Sequence, residues 1–366
     1  MLKETKLFAK KSKKAMFGFL VVLIIGMSGF LLGGCAANGG TAPNSGTVTN
    51  EQEYLTSGVL NAGHAVDVTH PFQVGLEYFA DRVYERTDGR FSINIHHSGV
   101  LGGEVAILDM INAGDIEVMV SSTGPIMNFT SAFSELDLPF LLEDKAHAYA
   151  VLDGSVGQGM LDELEETTNL VGLAFFENGF RHVTSSVRPI YLPEDLQGVV
   201  FRTQENPIHL RTFGQDGFGA VPMAMAFGEL FMGLQQGVAE GQENPLMTTF
   251  TGRFHEVQSY MAMTYHFYSA APLLINQDLW NSLSPADQAI FQQAAIEARY
   301  PQRAAVDAAE EFLSEELKNY MLITHPDLTP WREAAEPIIN YFIEQGVVSA
   351  NVVQQIRDVA AEIAGE

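Results

Sequence analysis

The chain has 366 residues, with 20 basic side chains against 45 acidic ones and a formal net charge of -25. That balance excludes a protein that lives on phosphate backbones, which are held by basic stripes. With 46% hydrophobic and 18% charged residues the bulk of the chain is not disordered, and its length suits two domains of ordinary size.

The charge is unevenly placed. Lys3, Lys6, Lys10, Lys11, Lys13 and Lys14, with Glu4, precede an uncharged apolar run from Ala15 to Leu32, so the first 34 residues carry +5 and the remainder -30. A basic region, an apolar run and small residues before a cut site describe an export signal over residues 1–34. The sequence Leu32-Gly33-Gly34-Cys35 resembles a bacterial lipobox, which implies cleavage before Cys35 and a lipid on its thiol. The alternative is an uncleaved anchor, since 18 apolar residues nearly span a bilayer. Residues 35–57 are small and polar without an apolar period, the pattern of a flexible tether.

From Gly58 the chain alternates strand and helix patterns. Val59 to Ala62 is a short apolar strand, and His70-Pro71 opens a helix, with Pro in the first turn and His70 in a capping role. Phe72, Leu76, Phe79, Ala80 and Val83 share one helical face that stops near Gly89. Phe91, Ile93 and Ile95 alternate as a strand; a helix over 103–113 ends at Gly114; Ile116 to Val120 is the next strand. This βαβαβ order predicts an α/β fold with a mainly parallel sheet. After an inserted helical stretch, Val171 to Phe176 and Val199 to Phe201 read as strands, and Phe227, Leu230, Phe231 and Leu234 as a helix face closing at Gly237. Ser284-Pro285-Ala286-Asp287 opens a helix running to about Met321, with a kink expected just before Pro301.

Few cations remain beyond the leader, so each arginine in an apolar setting calls for a reason. Arg181 and Arg202 follow apolar runs, at what read as the carboxyl ends of strands, where open α/β sheets place ligands. A guanidinium is a planar fork that meets a carboxylate bidentately, so two of them in one cleft select an organic acid. The alternative is that each pairs with one of the many acids of the chain. Asn244, before Pro245, is pushed to extended backbone that projects its amide; the alternative there is a loop satisfying its own backbone. His64, near the first strand end, is placed to face a cleft. His96-His97 suggests no metal, because strand neighbours point apart and no third ligand has useful spacing. Phosphate loops, HExxH and nucleophile elbows are missing, so neither cofactor nor catalytic residue is expected.

At these residues the sequence resembles a known family. Gly179-Phe180-Arg181, Arg188-Pro189-Ile190, Pro193 to Gly198, Phe201-Arg202, Pro222-Met223 and Gly241-Gln242-Glu243-Asn244-Pro245-Leu246 occur in its order. It is similar to the DctP-type solute-binding proteins of tripartite ATP-independent periplasmic (TRAP) transporters over essentially all of residues 58–330. The resemblance implies a two-lobed periplasmic-binding-protein-like fold with a mainly parallel sheet in each lobe and a long kinked helix crossing between them. Its lobe boundaries would be 58–178 with 270–308, and 179–269 with 309–366. It also implies an extracytoplasmic protein, lipid-anchored through Cys35, that captures an organic acid by lobe closure and delivers it to TRAP-type permease subunits. Arg202 would make the principal salt bridge to the solute carboxylate, Arg181 would assist, and Asn244 would orient the same group. Many members carry proline where this chain has Gln204, which puts the neighbouring pocket in question. Glu205 and Glu177 are candidates for a hydroxyl or cationic group of the solute, and Ser121 and Ser122 for its distal part. Two alternatives stay open: a lipid-anchored enzyme acting on an organic acid, and a binding protein serving a membrane sensor.

Overall fold

The computed structural model describes residues 53–365; the leader, Cys35 and most of the tether lie outside the described residues. Leu55 is already held, donating its N–H to the Ser282 carbonyl at 2.7 Å and bridging to Leu283. The expected βαβαβ unit follows: β1 (Gly58–Gly63), α1 (Pro71–Arg86), β2 (Phe91–His96), α2 (Glu104–Ala113) and β3 (Val118–Val120). Strand β1 pairs in parallel with both β2 and β3. Helix α1 begins where His70 accepts the Phe72 N–H and buries Phe72, Leu76, Phe79 and Val83. Helix α2 stops at Gly114, whose φ of 82° is the left-handed cap that glycine adopts without strain.

Three helices, α3 (Thr123–Ile126), α4 (Lys145–Asp153) and α5 (Ser155–Thr167), precede β4 (Leu170–Ser185). Next come β5 (Val200–Thr203), α6 (Pro207–Phe213), β6 (Val221–Ala224), α7 (Phe227–Gln235), β7 (Gly241–Asn244), α8 (Leu246–Thr251) and β8 (Tyr260–Asn276). The chain closes with α9 (Gln277–Ser282), α10 (Pro285–Glu316), β9 (Leu322–Thr324), α11 (Thr329–Glu344) and α12 (Ala350–Ala364).

The strands form one sheet in the order β2-β1-β3-β8-β4-β7-β5-β6, with β9 on β8. Among the described residues five of the eight strand pairings are parallel, and every antiparallel one involves β4 or β8. Those two strands, 16 and 17 residues long, join a first set of parallel strands (β1 to β3) to a second (β5 to β7). The sequence reading stopped β4 at Phe176 and missed β8. Both are buried on both faces along almost their whole length, so neither displays the alternation that marks a half-buried strand. Three register shifts between them break whatever phase remained.

Several cores flank the sheet, and one of them joins Ile107 and Leu108 of α2 to Ile208 of α6 and Ile338 of α11. Leu60, Phe72, Phe79 and Phe176 pack with Phe291, Ala294, Ala295 and Ala298 of α10. Val183, Phe201, Phe213, Phe218 and Trp331 form another, and Met261 and Met263 join Leu313 and Leu317 in a further one. Helix α10 thus buries its first half in one core and its end in another. Its 32 residues span about 48 Å. Ser284 caps it as expected, its Oγ accepting the Asp287 N–H at 3.1 Å. Pro301 lies inside the helix, and the chain passes into a 3-10 turn at Leu317–Asn319 before the expected end.

Candidate solute-binding cleft

The parallel strands of the two sets end toward a common crevice, the placement expected for ligands of an open α/β sheet. A cleft of about 480 Å³ is lined by Ala65, Ser98, Gly99 and Gly103 from the first set and by Phe227, Gly228, Thr251 and Gly252 from the second. Arg202 is not among the residues that line it; near the end of β5, its Nε donates to the Met225 carbonyl at 2.9 Å, two residues before the lining Phe227. Arg202 is 2% exposed, its Nη1 has no hydrogen-bond partner, and no carboxylate among the described residues lies within ion-pair distance. Burial, with some help from Arg181, lowers its pKa to about 10, against the opposing pull of Glu243, Glu104 and Glu205.

Arg181 was expected at a strand end, and its position is a correction: it sits within β4, just before a register shift. The strand seemed to end at Phe176 because polar residues follow, but all of them are buried in the continuing ladder. Its Nε bonds Glu243 Oε2, and its Nη2 donates to Glu243 Oε1 at 2.8 Å, to the Glu243 carbonyl at 2.7 Å and to Asn244 Oδ1 at 3.0 Å. His266 Nε2 lies 3.3 Å from the same carboxylate. Burial pushes the Glu243 carboxyl up, yet Arg181 and His266 together hold it well below the usual range. Of the two arginines, therefore, Arg181 is neutralised by an internal carboxylate and Arg202 is not. Asn244 ends β7, its Oδ1 taken by Arg181 and its Nδ2 donating to Gln242 Oε1 at 2.6 Å.

The serines after β3 are engaged. Ser122 donates its N–H and Oγ to Glu104 Oε1 at 2.9 and 2.8 Å, and Ser121 Oγ reaches the same oxygen at 3.3 Å. Glu104 was not singled out by the sequence, although an acid after Gly102-Gly103 at a helix start was the available signal. Glu205 is half-buried beside Arg202. His64 is buried, with Nε2 2.9 Å from Gln73 Oε1, Nδ1 unpartnered and its pKa lowered by burial. Glu177 stands apart. Its carboxylate meets Tyr149 and Lys145, and Lys145 with Glu310 lines a second cavity of about 410 Å³ beside Phe180, His182 and Tyr265.

A two-lobed α/β body with an unneutralised arginine buried at its crevice is the architecture of a solute-binding protein. The chain belongs to the DctP family, bacterial extracellular solute-binding protein family 7, whose model matches residues 62–345. It is 39% identical over 286 residues to a solute-binding protein of Verminephrobacter eiseniae, covering 78% of this chain and 84% of that one. It is 30% identical to the 2,3-diketo-L-gulonate-binding periplasmic protein YiaO of Escherichia coli, with coverage of 83% and 93%. A TRAP periplasmic solute-binding protein from Polaromonas sp. JS666, bound to D-erythronate, superposes with a TM-score of 0.78 at 35% identity, over 81% of this chain and 97% of that one. Proteins of this class deliver organic acids to TRAP transporters outside the cytoplasm, and no helix among the described residues is long and apolar enough to cross a membrane.

Proposed function

We propose that this protein captures a hydroxylated carboxylic acid of the sugar-acid class, with Arg202 as the principal anchor of its carboxylate. One observation carries the reading: Arg202 is a buried cation with an unpartnered Nη1 and, among the described residues, no carboxylate within ion-pair distance. An unpaired buried charge is costly, and a solute carboxylate removes that cost with charge-assisted hydrogen bonds. Arg181 and Asn244 support the anchor. Arg181 holds Asn244 and carries a further unpartnered Nη1. Glu205, Ser122 and His64, just after β5, β3 and β1, are candidates for further contacts with the solute, whereas the Glu177 carboxylate is taken by Tyr149 and Lys145. The acids named for YiaO and for the Polaromonas protein both carry oxygen substituents along the carbon chain, which suits a crevice holding Glu104 and two serines.

The lobes are residues 58–178 with 270–308, and 179–269 with 309–366. Supporting these boundaries, Glu177 pairs with Ala270 and Gly179 with Ser269 on either side of a register shift. Closure excludes water and strengthens the arginine bonds; the solute leaves chemically unchanged, for TRAP-type permease subunits. Cys35 carries the lipid that holds the body at the membrane. Thermal unfolding with D-erythronate, and with erythritol as the analogue lacking a carboxylate, tests the reading. The acid raises the melting temperature of the wild type and not of Arg202→Ala; equal stabilisation of both overturns the anchor.

A further inference from the structure

The segment just beyond β5 reaches across from one strand set to the other. Gln204 is 6% exposed and donates Nε2 to Ser122 Oγ at 2.9 Å. Asn206, 1% exposed, donates Nδ2 to the Gly124 carbonyl at 3.1 Å and to Asp137 Oδ2 at 2.7 Å. Its Oδ1 meanwhile caps α6 by accepting from Ile208 N and His209 N. In return Asn128 Nδ2 donates to the Glu205 carbonyl at 2.9 Å. A Cβ at residue 124 would come 2.5 Å from Gln204 Oε1, so a side chain there would displace the Gln204 amide. Donors and acceptors from opposite strand sets are thus paired directly, with no solute atom needed between them.

We infer that Gln204 and Asn206 form a clasp between the two lobes, so that the closed form is held partly by the protein's own hydrogen bonds. Gln204 is in addition a positioning residue, since the Ser122 hydroxyl that it engages also fixes Glu104 Oε1. The inference rests on the proposed capture by closure. When the lobes rotate apart about β4 and β8, these pairs separate and hydrate; when they meet, the pairs re-form out of water, each with a modest net gain. The apparent affinity for solute scales with the fraction of molecules that are closed. Removing the clasp therefore weakens capture through that fraction, even where the solute never touches Gln204.

Hydrogen exchange of the full chain without solute separates these possibilities. In Gln204→Ala, backbone amides at residues 122–128 and 203–206 should exchange at least about fivefold faster, with β1 unchanged as the interior control. Asn206→Asp, which keeps the α6 cap but sets a second carboxylate against Asp137, should do the same. Dissociation of D-erythronate should accelerate by a similar factor in Gln204→Ala. Unchanged exchange in both variants overturns the clasp, even where affinity falls, since Gln204 is then only a solute contact. Faster exchange that extends to β1 overturns it as well, as general destabilisation. A wild type that binds no acid refutes the proposed function and leaves the exchange experiment to decide the clasp.

Discussion

Two arginines of one chain, both buried, differ in their partners because of one carboxylate. Glu243 takes the Nε and Nη2 groups of Arg181, and among the described residues no carboxylate lies within ion-pair distance of Arg202. Replacing Arg202 by lysine keeps the charge and loses the fork, so affinity for the acid should fall at least about tenfold in calorimetry, as a point charge cannot meet a carboxylate bidentately. Glu243→Gln leaves Arg181 buried and unpaired, and should cost about 3–5 kcal/mol in denaturant unfolding. The pH dependence has a definite sign. The folded-state pKa of Glu243 is depressed, so its stabilisation is complete above the ordinary carboxylate range and is lost as pH falls through the folded value. The gap between wild type and Glu243→Gln should therefore persist through mildly acidic pH and narrow only in strong acid. A gap that widens on acidification contradicts the ion pair. Arg202 was legible in the sequence because a cation at the end of an apolar strand is conspicuous. Glu104 was not, since its value arises from Ser121 and Ser122 folding onto it.

At the scale of elements, the fold turns on the places where β4 and β8 slip past each other. At Glu177 the Gln302 side chain supplies what the ladder does not: Oε1 accepts the Glu177 N–H at 2.9 Å and Nε2 donates to the Glu177 carbonyl at 2.6 Å. Gly179 beyond it has a φ of 111°, a conformation that side-chain-bearing residues rarely adopt. Gln302→Ala should lower stability by about 1–3 kcal/mol, the cost of stranding buried backbone groups, as chemical unfolding would measure; a change below the error of that measurement removes Gln302 from this role. The local grammar of the first unit was readable because caps and periodicity act within a few residues, as His70, Gly114 and Ser284 do. The long strands were not, because their polar residues Asn178, His182, Thr184 and Ser185 are buried by partners distant in sequence.

For the whole molecule, residues 35–366 carry a formal charge of -30, which repels the anion proposed to be captured, so recognition must be short-range, at a buried cation near the crevice. Added salt screens that repulsion, so association of the acid should hold steady or quicken as ionic strength rises in stopped-flow measurements; a steep slowing would point to long-range attraction instead. The most direct test of the account is a crystal structure of the protein with D-erythronate bound. The carboxylate should lie in the crevice with oxygens about 2.7–2.9 Å from the Arg202 guanidinium. A carboxylate bound elsewhere, with Arg202 still unpaired, would contradict it.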